Sequence, residues 1–177
     1  IRAGERVLEV GQGRGTKSVL MAAAGARLTS VEVDTKKSAL AAARMETAGV
    51  GGRVECVCDD GRELARVGGA FDLVFVDAPC SGSGTLSRHP EIAWSLTEDA
   101  PADLAELQLQ ILRRAATGVA AGGRLAYSTC SIFRQEDEDV VDAFLASPEG
   151  TDFRLVSSRR TAIPHADTHF LALMERA

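Results

Sequence analysis

Five short apolar runs in this chain each end in polar or reactive groups, and stretches of helical period separate them. The runs are Arg6–Val10, Arg27–Val33, Arg53–Cys58, Phe71–Val76 and Gly123–Ser128. Their ends read Gly11-Gln12-Gly13-Arg14-Gly15, then Glu32 and Asp34, then Asp59-Asp60, then Asp77-Ala78-Pro79-Cys80, and last Ser128-Thr129-Cys130-Ser131. Between them lie amphipathic segments at Thr16–Ala24, Thr35–Ala48 and Leu104–Val119, with a short helix expected over Gly61–Val67. In the longest of these, Leu104, Leu107, Ile111, Ala115 and Val119 mark one face at steps of three and four. A further helix is expected to start in the acidic stretch Gln135–Asp139, whose charges suit a helix N-terminus, and to bury Val140, Val141, Phe144 and Leu145. Two late runs, Asp152–Val156 and His169–Met174, read as an antiparallel hairpin. Strand and helix alternation of this kind predicts an α/β fold, a mostly parallel doubly wound sheet whose ligands sit beyond the carboxyl ends of the strands. One such ending would mean little, whereas five together mark a single site.

The chain has 177 residues, enough for one domain at the usual ~150 residues each, so residues 1–177 are read as one unit. Hydrophobic residues make up 45% and charged ones 25%, which excludes a disordered or fibrous chain. No apolar run approaches the ~18 residues needed to cross a bilayer, and the first residues lack the order of a signal peptide. A soluble cytoplasmic protein with no membrane partner is expected. A net charge of −5 argues against gripping nucleic acid by charge alone. The chain opens at Ile1 on a strand-like run, so an upstream portion is expected to be missing. Cys56, Cys58, Cys80 and Cys130 should be free thiols, and their spacing lacks the CxxC pairs of a zinc site, so no metal is expected.

Gly11, Gly13 and Gly15 bring backbone close to a ligand at the first strand-to-helix turn. Thr16 stands where the dinucleotide pattern wants its last glycine, which argues against a nicotinamide dehydrogenase. A carboxylate at Glu32 is placed to accept both hydroxyls of a ribose, and Asp60 could accept from the amino group of an adenine. The combination describes an adenosine pocket without a pyrophosphate site, for which S-adenosylmethionine is the natural occupant. Cys56 and Cys58, inside the third strand, read as small core hydrophobes. Cys80 and Cys130 differ because they end neighbouring strands among polar groups, with Asp77 three residues before Cys80.

Asp77-Ala-Pro-Cys80-Ser-Gly, then Arg88-His89-Pro90-Glu91 and Trp94, then Tyr127-Ser-Thr-Cys130-Ser and the acidic helix start, resemble the RsmB/NOL1/NOP2/Sun family of RNA 5-methylcytosine methyltransferases. The resemblance implies a class I S-adenosylmethionine-dependent methyltransferase fold (Rossmann-like), that cofactor as methyl donor, and a cytosine in rRNA or tRNA as acceptor. It places Gly11, Gln12, Gly13, Arg14, Gly15, Thr16 and Lys17 in the cofactor loop and Glu32 on the ribose, with Asp60 and Asp77 as further cofactor or base contacts. Catalysis falls to Cys130 as nucleophile, Cys80 for product release, and Asp77 with Lys17 beside them. The family's Ala-Pro-Gly-Gly-Lys loop reads Gly-Gln-Gly-Arg-Gly-Thr-Lys here, and its closing Asp-Gly-Phe-Phe reads Asp167-Thr168-His169-Phe170. The family's N-terminal RNA-binding portion is not in this sequence.

A thiolate adding at carbon 6 of cytosine makes carbon 5 enamine-like and able to accept a methyl group. Addition is helped by a proton or hydrogen bond at ring nitrogen 3, for which Asp77 is the candidate. Cys80 or a water could remove the carbon 5 proton. Two other readings remain: a DNA cytosine-5 methyltransferase with Cys80 as nucleophile, and a non-catalytic cofactor- or RNA-binding domain. Lys17, Arg14, Arg88, His89, Arg113, Arg114 and Arg134 could form a basic rim, while His165 and His169 show no ligand or triad spacing.

Overall fold

The computed structural model describes residues 1–161 and 167–177; His165 lies outside them. Seven strands form one sheet: β1 (Arg6–Val10), β2 (Arg27–Glu32), β3 (Val54–Cys58), β4 (Phe71–Asp77), β5 (Val119–Thr129), β6 (Phe153–Thr161) and β7 (His169–Arg176). Their order is β3-β2-β1-β4-β5-β7-β6, parallel through β5 and antiparallel at the β7-β6 hairpin. The order reverses between β2-β1 and β4, so the crevice above that switch lies between the Gly11 turn and the Asp77 turn.

Strand alternation sends successive residues of β1 to opposite faces. Val7 joins Leu28, Leu73 and Ala126 beneath α1 (Thr16–Ala23), which contributes Met21 and Ala22. Beside it α2 (Thr35–Thr47) is capped by Asp34, whose carboxylate accepts from the backbone N–H groups of Lys36 and Lys37. On the other face Leu8, Val10, Val74, Val76 and Leu125 pack under two further helices. A four-residue helix α3 (Ile92–Ser95) precedes these, which are α4 (Ala100–Ala116) and α5 (Glu138–Leu145). Together α4 and α5 bury Ile111, Leu112, Ala115, Val140, Val141 and Phe144; of the expected stripe Leu104, Leu107 and Leu145 are only half-buried, and Leu112 joins the core from outside it.

Several expected boundaries move: β5 begins four residues before the expected Gly123, and β6 runs on to Thr161 rather than ending at Val156. The long helix starts at Ala100 because Pro101 is tolerated in a first turn, and it stops at Ala116, before Val119, which belongs to β5. No helix forms over Gly61–Val67: the segment is a series of turns in which buried Leu64 adopts a φ of +46°. The acidic stretch divides, Arg134–Glu136 forming a 3-10 turn and α5 beginning at Glu138. Glu136 and Asp137 are therefore fully buried rather than spread along a helix start.

Candidate active site

The Gly11 turn exists because two backbones nearly touch there. Gly11 has a φ of +89°, and a Cβ on it would collide with the carbonyl oxygen of Asp77 at the end of β4. Gly15 is held similarly tightly, against Met45 and Ala41 of α2. Beneath the turn Glu9 is wholly buried; Ser18 and Ser30 donate to its Oε2 at 2.5 and 2.7 Å, and burial pushes its carboxyl above the usual range.

A cavity of about 380 Å³ opens beside this turn, lined among others by Gly11, Gly13, Glu32, Asp60 and Asp77. Val31, Val33, Pro79, Leu107 and Ile111 supply apolar wall. Glu32 is 7% exposed, and its two oxygens accept from Gly13 N at 2.7 Å and Asp34 N at 3.0 Å. A carboxylate offers about four acceptor positions, so two remain for hydroxyls. The size, apolar walls and half-satisfied acid fit an adenosine-bearing ligand.

The remaining expected cofactor residues divide. Lys17 is not on the cavity wall but pairs with Asp77, Nζ to Oδ2 at 2.6 Å. The side chain of Gln12 turns inward, donating to Cys56 Sγ at 3.2 Å; contrary to expectation neither Cys56 nor Cys58 joins the buried core, both being half-buried, and Cys58 Sγ donates to the Val33 carbonyl at 3.7 Å. Thr16 accepts from Arg44 at 2.7 Å and Arg14 is exposed. Asp60 lines the cavity, yet its carboxylate is gripped by Arg62, which approaches to 2.6 Å and holds the carboxyl below its usual range. An adenine amino group there would share Asp60 with an exposed, readily displaced arginine.

Beyond Asp77 two cysteines meet. Cys80 follows β4 and Cys130 follows β5, and their Sγ atoms are 3.3 Å apart. Accepting from the Cys80 thiol pulls the Cys130 thiol below its ordinary range, helped by the Lys17 ammonium; the Asp77 charge and burial oppose this. Donating to Cys130, together with burial, pushes Cys80 up. The contact lets the pair give up one proton more readily than a lone thiol would, while the other thiol is held protonated.

The loops carrying the two thiols are joined below them by groups the sequence did not single out. Glu136 Oε1 accepts from Ser81 N at 2.8 Å and Gln108 Nε2 at 3.0 Å, and Oε2 accepts from Ser81 Oγ at 2.6 Å and Ser131 Oγ at 2.5 Å. Buried Tyr127 donates to the Glu136 carbonyl at 2.6 Å. Only position could have revealed Glu136, because it stands in a run of acids. Above the thiols, Gly84 N donates to the Cys130 carbonyl and Gly84 O accepts from Thr168 N, both at 2.9 Å. Arg88 pairs with Asp167, so the altered closing motif still ties β7 to the loop after Cys80.

A family model described as 16S rRNA methyltransferase RsmB/F matches residues 1–170. This chain belongs to the RsmB/F methyltransferase family. Ribosomal RNA small subunit methyltransferase B of Thermus thermophilus is 38% identical over 147 residues, covering 82% of this chain and 35% of that protein. The protein of the same name from Sodalis glossinidius is 40% identical over 133 residues, 74% of this chain and 30% of that one. The chain thus spans about a third of the length of these relatives. The solved structure of PH0851 superposes with a TM-score of 0.90 at 30% identity, covering 99% of this chain and 43% of that one. NSun6 from Pyrococcus horikoshii with SFG gives 0.83 at 20% identity, covering 97% and 48%. The class I methyltransferase fold expected from the sequence is the fold observed.

Six of the seven residues expected to form a basic rim meet acceptors within the chain, and Arg14 stays exposed. Arg88 pairs with Asp167, Arg113 with Glu149, and Arg134 with Asp139 and Asp142, while Arg114 is turned toward the carbonyls of Glu63 and Leu64. His89 faces Glu91 and Lys17 faces Asp77. The pairs of Arg88, Arg113 and Arg134 with carboxylates lie at the surface, where an RNA phosphate could compete for them.

Proposed function

We propose that this chain is a catalytic domain that transfers a methyl group from S-adenosylmethionine to carbon 5 of a cytosine in rRNA or tRNA, through a covalent adduct on Cys130. It works in the cytoplasm. The observation that carries the reading is the Cys80–Cys130 contact at 3.3 Å, beyond an Asp77 that borders the adenosine-sized cavity. A buried free cysteine is ordinarily a packing residue, but two thiols ending adjacent strands with one made more acidic are built for nucleophilic work. No helix among the described residues is long and apolar enough to cross a membrane.

Glu32 would hold the ribose, the apolar wall the adenine, and the backbone of the Gly11–Gly15 turn the remainder of the cofactor. Bound S-adenosylmethionine supplies an electrophilic methyl group. The Cys130 thiolate adds to carbon 6 of the flipped-out cytosine, and carbon 5 gains nucleophilic character. Asp77 and Lys17 act as a unit at ring nitrogen 3: the ammonium carries a proton and the carboxylate orients it. After carbon 5 is methylated, a water, or Cys80 once it has passed its own proton to water, removes the carbon 5 proton, the bond from carbon 6 to sulfur breaks, and Cys130 leaves as thiolate. Unstacking favours a looped or single-stranded RNA. The deciding assay offers labelled S-adenosylmethionine with RNA or with DNA: label at cytosine carbon 5 of RNA is expected. Transfer to DNA alone, or methylated RNA without a Cys130 adduct, would overturn the reading.

A further inference from the structure

Glu136 is a fully buried carboxylate with no lysine, arginine or histidine partner among the described residues. Burying a charge without a counter-ion is costly unless hydrogen bonds replace the lost water. Here four donors do so, and three belong to the residues immediately after the two cysteines: Ser81 N, Ser81 Oγ and Ser131 Oγ. Ser83 reinforces the junction, accepting from Ile132 N at 3.0 Å. Ser81 and Ser131 are 50 positions apart in sequence and end on one carboxylate.

We propose that Glu136 is a positioning residue that sets the separation of Cys80 and Cys130 by clamping the serine that follows each. This deepens the reading given above, since the pair matters only if the thiols react. A backbone shift of one ångström in either loop would break a contact of 3.3 Å. Glu136 does not line the cofactor cavity, so the clamp acts on the two loops from outside it. Charge and reach predict opposite signs. Removing a negative charge near a thiol would lower its midpoint, whereas losing the clamp would free Cys130 from the Cys80 donor and raise it.

The test follows the pH dependence of iodoacetamide alkylation at Cys130, resolved from Cys56, Cys58 and Cys80 by peptide mass spectrometry. The other ionisable groups acting on Cys130 are Asp77, Lys17 and Arg88, which the variants leave in place. Glu136→Ala should raise the midpoint toward that of an ordinary thiol and cut the alkylation rate at neutral pH about tenfold. Glu136→Gln should hold the midpoint at or below the wild-type value, because its amide oxygen can face Ser81 N and Gln108 while its amino group donates to the two hydroxyls, keeping the clamp while the charge is lost. A folded Glu136→Ala protein with an unchanged or lowered midpoint overturns the proposal, as does an equal rise in Glu136→Gln. Should Glu136→Ala fail to fold, Ser131→Ala decides: a raised midpoint supports the clamp and an unchanged one refutes it. None of these readouts uses RNA, so absence of RNA methylation would refute the proposed function and leave the clamp standing.

Discussion

Replacing Glu32 with alanine probes the cofactor half of the site through two separable effects. The carboxylate is 7% exposed and already accepts from Gly13 N and Asp34 N, so it is fixed before any ligand arrives. Its two remaining acceptor positions suit the ribose hydroxyls, and a hydrogen bond to a charged group contributes about 1.5 kcal/mol at the low end of the usual range. Losing two such bonds weakens binding by about 3 kcal/mol, or roughly two orders of magnitude in Kd. Alanine also leaves two backbone N–H groups without their acceptor, at about 1 kcal/mol each, which lowers Tm by about 4–8 °C in a chain of this size. Calorimetry with S-adenosylhomocysteine, run well below the variant's Tm, measures the first effect, and thermal unfolding of the free protein measures the second. Glutamine keeps one acceptor oxygen and should lose about tenfold. A folded Glu32→Ala protein that loses less than about threefold in affinity would refute the ribose assignment.

The two cysteines should fail differently on labelled RNA in a denaturing gel: Cys130→Ala forms no shifted covalent band and no product, whereas Cys80→Ala accumulates the band because elimination is impaired. The reverse pattern would exchange their roles. Gly11→Ala should unfold the protein or abolish cofactor binding, since its Cβ would meet the Asp77 carbonyl at a φ of +89°; near-normal binding by calorimetry would contradict that packing. Burial raises the Asp137 carboxyl to about 6 against the pull of Arg160 and Thr129. The folded state therefore keeps this proton longer than the unfolded chain, and stability falls as pH rises from about 4 through about 6, by up to about 3 kcal/mol. Subtracting the unfolding curves of Asp137→Asn should remove that fall; an identical pH slope in both proteins would count against it. Tyr127→Phe strands the Glu136 carbonyl and should cost about 1–2 kcal/mol, seen as a Tm drop of about 2–8 °C.

Much of the architecture was legible in the order of residues because the signals involved are local. Periodicity distinguishes α4 from β4 without reference to anything distant, and the strand ends are marked by the change from apolar to polar. The family motifs around Cys80 and Cys130 sit in single short stretches, so the candidate thiols and their neighbour Asp77 could be named from sequence, as could Glu32 at the end of the second strand. The Gly61–Val67 turns were not legible, because buried Leu64 takes its left-handed backbone from packing against the sheet rather than from its own preference. The end of α4 was misplaced for a related reason: Val119 continues the apolar stripe in sequence but is claimed by pairing with Phe71.

What the sequence by itself determined is the set of elements, their α/β class and the edge at which chemistry collects, since each follows from spacing along a single segment. The tertiary structure alone decided which side chains at that edge meet. It turned Gln12 onto Cys56, occupied Asp60 with Arg62, paired Lys17 with Asp77, and turned most of the expected rim cations onto acceptors within the chain. It also took Glu136 out of an acidic run and placed it beneath Ser81 and Ser131. Hydrogen bonds and ion pairs act over about 3–4 Å, so a partner 50 residues away in the chain is as available as a neighbour once the sheet has formed.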